Sequence, residues 1–218
     1  MALRARQSRL ITGAAGAGKT RLLREALAAA GQPAVVIDHW PGVLHGLLVA
    51  LAQGLGCRSG RYPDLRKAPS ASLKPLILGA LRDEPRAIIA EEVREADPRT
   101  YRFFQPMYYI PGCCLIVSAP SRGELGHLRK LLWDPREEIA LKPLTRTEAA
   151  RSFDIAARRF ALDSLDLADF RAKALAAARG NPGQIIIMFR LASCPEYRHG
   201  AHIHFLTLRI DALTTSMP

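Results

Sequence analysis

Long apolar runs are missing from this chain. No stretch approaches the about 18 uninterrupted apolar residues of a membrane helix, so neither a helical span nor a membrane partner is expected. Acidic residues are scarce, 20 against 31 Lys and Arg, which leaves a net charge of +11 over 218 residues. That excess favours anionic partners, nucleic acid among them. Lysine is scarcer still, only 6 of those 31. The abundant Ala, Gly and Pro point to a GC-rich coding sequence, which accounts for the Arg-to-Lys ratio but not for the excess over acids. None of the four cysteines forms a C-x-x-C pair, and Cys113-Cys114 lies in an apolar run. Buried free thiols in a reducing compartment are expected. The basic start, Met1 to Gln7, runs through a short apolar stretch straight into a glycine-rich loop, which argues against a secretory leader and for the cytoplasm.

What is present is an alternation of strands and helices. Ser8–Thr12, Ala34–Asp38, Arg86–Glu91, Cys113–Ser118 and Glu138–Leu141 read as buried strands. Helical spacing links them over Lys19–Ala30, from Pro41 to Leu55, from Ser70 to about Arg82, after the Asp97-Pro98 start, and over Leu125–Leu132. Such alternation predicts an α/β core with a five-stranded parallel sheet over residues 1–144. From Thr145 the pattern is helical only: one helix begins with a Thr145/Glu148 capping box, one spans Asp166–Ala178, and one starts at Asn181-Pro182. Residues 145–195 are therefore expected to form a small helical lid. Residues 196–218 are a tail in which His202–Leu208 alternates weakly like a strand. Trp40 and Trp133 read as packing residues, and Tyr101 to Tyr109 as a largely core-facing helix.

Gly13-Ala14-Ala15-Gly16-Ala17-Gly18-Lys19-Thr20 fits G-x-x-x-x-G-K-[ST] between a strand and a helix. Gly13, Gly16 and Gly18 permit the backbone angles that bend a loop around an anion. The loop amides and the helix N-terminus then face phosphates. Lys19 adds a point charge, the Thr20 hydroxyl suits Mg²⁺, and Arg21 follows in the first helical turn. Nucleoside-triphosphate binding is expected, with ATP and Mg²⁺ as cofactors; the guanine motif N/T-K-x-D is absent. A P-loop ATPase also needs acids at the end of a neighbouring strand. Ala87-Ile88-Ile89-Ala90-Glu91-Glu92 supplies them, Glu91 to hold Mg²⁺ directly or through water, and Glu92 as the general base. Glu91 stands where Asp is usual, and its longer arm alters metal geometry.

The phosphate loop, the acidic strand and the helices after Leu144 together resemble the AAA+ ATPases over about residues 8–192. The nearest subgroup holds STAND-type signalling ATPases, origin-initiator ATPases and transposon helper ATPases. The resemblance implies a γ-phosphate sensor at the end of the fourth strand, Ser118, with Ser121 or Arg122 as substitutes. It implies a nucleotide contact at the start of the last lid helix. There Arg179-Gly180-Asn181-Pro182-Gly183-Gln184 is similar to a G-N-P motif, which places Pro182 by the base. Asn181-Pro182 equally suits a plain helix cap. An arginine finger acting across subunits would come from Arg122, Arg129 or Arg136, with Arg136 first among the three and a plain surface arginine as the ordinary reading. These implications include a homo-oligomer. The basic loop 57–69, with Arg58, Arg61, Arg66 and Lys67 against Asp64, adds DNA as a partner. Three functions compete: an ATPase whose nucleotide state changes shape or assembly, a DNA-associated helper, and a non-hydrolysing nucleotide-dependent switch. His199, His202 and His204 read as surface histidines rather than metal ligands.

Overall fold

A computed structural model of the chain describes residues 7–200 and 202–215, without the side chains of His199 and of residues 213–215. The readings made on residues 1–6, on the tail beyond 215 and on the His199 side chain lie outside the described residues. Two compact units emerge: one from the residues up to Ala14 together with Lys19–Leu141, the other from Ala15–Gly18 together with Lys142 onward.

The first unit is built on strands β1 (Arg9–Thr12), β2 (Ala34–Ile37), β3 (Ala87–Ala90), β4 (Cys114–Ala119) and β5 (Glu138–Ala140), all parallel in the order β2-β3-β4-β1-β5. Strand periodicity explains the layering. Ile88, Ala90, Leu115 and Val117 pack on one face with α2 (Leu44–Gly54), α3 (Ser70–Asp83) and α4 (Pro98–Tyr108). Their neighbours Ala87, Ile89, Cys114 and Ile116 pack on the other with α1 (Lys19–Ala30). Register brings Thr12 level with Ala119 and Ala140, and Ala90 level with Ile37 and Val117. The carboxyl ends of the strands thus deliver Gly13, Glu91 and Ser118 to one edge of the sheet. It is there, where strand order reverses after β1, that ligands bind in open α/β sheets.

Several local signals act as the sequence requires. Asp97 caps α4 by accepting from the Thr100 amide at 2.6 Å. Others are overridden. Helix α2 starts at Leu44 rather than Pro41, because Gly42 lies at φ +69° and breaks the turn. The helix expected at 125–132 is a 3₁₀ segment over Arg122–Lys130, broken at Gly126. A Cβ there would sit 2.5 Å from the Ala96 carbonyl oxygen, so the chain turns sharply against that backbone. Trp133, beyond the break, is 72% exposed rather than packed.

The second unit contains α5 (Arg146–Arg159), α6 (Ala168–Ala178), α7 (Pro182–Ala192), the short antiparallel pair β6 (Arg198–His199) and β7 (His202–Ile203), and α8 (Phe205–Thr215). Thr145 and Glu148 form the capping box of α5. The strand expected over 202–208 ends at Ile203. Phe205, Leu208 and Ala212 share one buried helical face of α8, and this packing overrides the alternation. Phe153, Phe170 and Phe189 form the centre of the unit, with Phe189 ring centroids 4.7 Å and 5.4 Å from the other two. Among the described residues no helix is long and apolar enough to cross a membrane.

Phe189 is fully buried and sits on α7, so Phe189→Ala is expected to destabilise the second unit by about 3–5 kcal/mol. Urea unfolding followed by circular dichroism measures this, and a loss below about 1 kcal/mol would disprove the central role of the triad.

Candidate functional site

The glycine-rich loop leaves β1 with Gly13, whose amide donates to the Pro120 carbonyl at 3.3 Å. Gly16 and Gly18 lie at φ +77° and +98°, in the left-handed region that glycine enters without strain. Lys19 is only 3% exposed, and its ammonium has three acceptors. It donates to the carbonyls of Gly13 at 2.8 Å and Ala14 at 3.2 Å, and it meets the Glu92 carboxylate at 3.1 Å. These match the three donors an ammonium carries. Arg21, in the first turn of α1, is exposed and pairs with Glu25 at 2.8 Å.

The end of β3 places the two glutamates differently. Glu91, 3% exposed, accepts from the Thr20 hydroxyl at 2.5 Å. A buried carboxylate beside a hydroxyl is an oxygen-only donor set, which fits Mg²⁺. Glu92 turns away at φ +53°, an uncommon backbone state for a residue with a side chain. Ser118 at the end of β4 secures that turn. Its fully buried hydroxyl accepts the Glu92 amide at 3.1 Å, while its carbonyl accepts the Val93 amide at 2.8 Å. The Glu92 side chain stays 42% exposed.

A second network, missed at the sequence level, lies beneath the start of the loop. Thr12 donates to Glu138 at 2.7 Å, and Arg122 donates to the other Glu138 oxygen at 2.8 Å. The Arg122 guanidinium also reaches the carbonyls of Leu132, Trp133 and Asp134. Arg122, weighed above as a sensor or finger, is thus tied into a structural clamp across β1, β5 and the 122–134 segment. One signal was readable: Glu138 is a charge opening an apolar strand. Its carboxyl is held below the ordinary glutamate range, first by the Thr12 hydrogen bond and then by Arg122, against the opposing effect of burial.

Arg136 is exposed and held by a fork of hydrogen bonds to Asp134, at 2.7 Å for the closest. It lines a cleft of about 480 Å³ with Arg9, Tyr108 and Glu137. Arg129 is likewise at the surface.

In the second unit, α6 ends with Arg179 in the left-handed conformation and Gly180 at φ +78°. Gly180 gives its carbonyl to the Leu144 amide at 2.8 Å. Asn181 then caps α7, accepting from the Gly183 amide at 2.9 Å and the Gln184 amide at 3.3 Å, with Pro182 at the first helical position. The same side chain donates from Nδ2 to the Ala15 carbonyl at 2.8 Å, and the Gly183 amide donates to the Gly16 carbonyl at 2.9 Å. Loop residues 15–18 thereby cluster with the second unit. The local cap was legible in Asn181-Pro182; the reach to the loop was not.

Sheet order, glycine loop and strand-end acids define a P-loop NTPase-like α/β fold. The Orc1 protein of Aeropyrum pernix in complex with DNA aligns with all of this chain and 65% of its own length, at 17% identity and TM-score 0.61. Cdc6p from Pyrobaculum aerophilum aligns with 88% of this chain and 57% of its own, at 16% identity and TM-score 0.66. A STAND protein with a tetratricopeptide-repeat sensor from Pyrococcus horikoshii aligns with 98% of this chain and 31% of its own, at 18% identity and TM-score 0.54. The chain therefore spans less than two thirds of each, and likeness at these identities shows the fold alone. No protein-family model matches the chain, and no curated protein matches its sequence.

The clamp carries a pH dependence. Because the Glu138 value is lowered on folding, its stabilisation is complete above the unfolded-state value of about 4.3 and disappears as pH falls through the depressed folded-state value. Glu138→Gln is expected to cost about 1–3 kcal/mol at pH 7 and close to nothing at the acid end. Urea unfolding across pH 3–7 tests this, and a gap independent of pH would exclude the carboxylate charge as its cause.

Proposed function

We propose that this chain binds ATP with Mg²⁺ through residues 13–20 and hydrolyses it, coupling nucleotide state to conformation or assembly. One observation carries the reading: two pairs, Lys19 with Glu92 and Thr20 with Glu91, stand at the mouth of a glycine loop, and each joins a phosphate- or metal-binding group to an acid. Bound Mg²⁺ would supply charge neutralisation at the phosphates, held by Thr20 and Glu91. Lys19 neutralises Glu92 in this structure. A polyphosphate competes for that ammonium, which leaves the half-exposed Glu92 carboxylate to take a proton from water as the water attacks the γ-phosphorus and ADP departs. Ser118 sits against the Glu92 amide, which supports a role in fixing the base or sensing the γ-phosphate. Arg136, exposed and pre-oriented by Asp134, suits a finger directed at a second copy of the chain. Pro182, at the first position of α7, is assigned the contact with the base in this reading.

A second reading, DNA-dependent assembly, has its own support. Arg58, Arg61, Arg66 and Lys67 are all exposed on one loop, and the structural neighbours include a protein solved with DNA. Its mark is DNA retention that weakens steeply with salt, because phosphate neutralisation releases counterions.

Lys19→Ala is expected to abolish Mg-ATP binding in calorimetry. Glu92→Gln is expected to keep binding and lose about 10²–10⁴-fold in turnover. Equal, substantial turnover in wild type and Glu92→Gln would remove Glu92 as the base, whereas binding with wild-type turnover no faster than background would leave a non-hydrolysing switch as the surviving alternative.

A further inference from the structure

The contacts of α7 with the loop are made to carbonyls, and this determines where the loop's amides go. A trans peptide is planar, with its C=O and N–H on opposite edges. The peptide joining Ala15 to Gly16 has its carbonyl held by Asn181 Nδ2 at 2.8 Å. The Gly16 amide must then face away from α7. The next peptide has its Gly16 carbonyl held by the Gly183 amide at 2.9 Å, so the Ala17 amide also faces away. These are two of the donors that a phosphate loop offers an anion.

The approach leaves no room for a side chain on either partner. A Cβ on Gly183 would lie 2.6 Å from the Gly16 Cα and 2.8 Å from the Gly16 oxygen. A Cβ on Gly16 would lie 2.8 Å from Asn181 Oδ1. The atoms met at Gly183 are backbone, which cannot swing aside as the end of a flexible side chain can. Asn181 is moreover divided in function: its oxygen caps α7, while its nitrogen reaches the loop.

We infer that Asn181 and Gly183 are positioning residues, which aim the Gly16 and Ala17 amides for a polyphosphate by fixing the carbonyls behind them. Neither residue touches the phosphates. They prepay the ordering of a glycine-rich loop, and preorganisation of this kind appears as affinity. The inference rests on residues 13–20 being a phosphate site.

The division within Asn181 supplies the test. Asp and Ser are helix caps comparable to Asn, so Asn181→Asp and Asn181→Ser retain the cap and lose the amide donor. Asn181→Asp also sets a carboxylate against the Ala15 carbonyl. Gly183→Ala raises helix propensity while driving a methyl into the loop backbone. Mg-ATP affinity by calorimetry, thermal stability, and hydrogen–deuterium exchange of the peptide spanning residues 13–20 are measured for each variant, with Lys19→Ala as the control. The expected result is affinity about tenfold weaker for Asn181→Ser, the equivalent of one lost hydrogen bond, and weaker still for Asn181→Asp and Gly183→Ala. Loop exchange should accelerate without nucleotide, with melting unchanged in both Asn181 variants. Weakening in Asn181→Asp alone would reduce the effect to charge repulsion and overturn the inference. So would unchanged affinity in all three variants while wild type binds and Lys19→Ala does not, with the nucleotide reading intact. Absence of Mg-ATP binding in wild type would remove the nucleotide reading, and this inference with it.

Discussion

A peptide plane cannot turn its carbonyl without turning its N–H, and the glycine-rich loop is governed by that constraint. Four consecutive carbonyls, from Gly13 to Gly16, have hydrogen-bond partners: Lys19 takes the first two, Asn181 the third and Gly183 the fourth. Glycines at 16 and 18 permit the required dihedrals, but permission is not preference. A loop this rich in Gly and Ala has many conformations of similar energy, and selecting one is entropically costly. The carbonyl partners make the selection, and they come from a lysine in the next helix and from a helix that begins about 165 residues further along the chain.

The surroundings of the loop divide into fixed and exchangeable contacts. The Thr12–Glu138–Arg122 clamp is part-buried and saturated, with the guanidinium spread over one carboxylate and three carbonyls. Removing one member would strand the others, so the clamp holds β1 and β5 where the loop departs. The Ser118–Glu92 contact is of the same kind, since it involves a backbone amide. The Lys19–Glu92 pair differs. Its lysine is buried and its glutamate is open to water, so the proposed polyphosphate would compete with a side chain rather than with a backbone contact. A site that must admit a charged ligand needs one such replaceable partner, and the αL turn at Glu92 presents it.

The sequence revealed whatever is encoded over a few residues. Strands β1 to β5 were readable from β-branched runs, and the caps at Asp97, Thr145 and Asn181 from residue type and spacing, because capping is a local hydrogen-bond problem. The loop motif was readable for the same reason. What escaped depends on distant partners. Arg122 and Glu138 lie 16 residues apart, and nothing local distinguishes their pair from two surface charges. Trp133 looked like a core residue until the break at Gly126 redirected its segment. Residues 202–208 alternate as a strand would, yet Phe205, Leu208 and Ala212 bury a helical face. Gly183 stood out only as part of the stretch after Asn181-Pro182, and its need to lack a side chain arises from Gly16, far away in sequence.

The division of the chain through the loop has a thermodynamic consequence. Residues 15–18 pack with the C-terminal unit, whereas Gly13, Ala14, Lys19 and Thr20 pack with the sheet. If carbonyl contacts from α7 strengthen polyphosphate binding by some factor, linkage requires the polyphosphate to strengthen those contacts by the same factor. Occupancy of the loop and the hydrogen bonds at Asn181 and Gly183 are then two readings of one equilibrium. A ligand that leaves both unlinked would shift nothing, however tightly it bound. Were nucleotide state coupled to conformation as proposed, no separate relay would be needed: the peptide planes between Ala15 and Ala17 would join the two events.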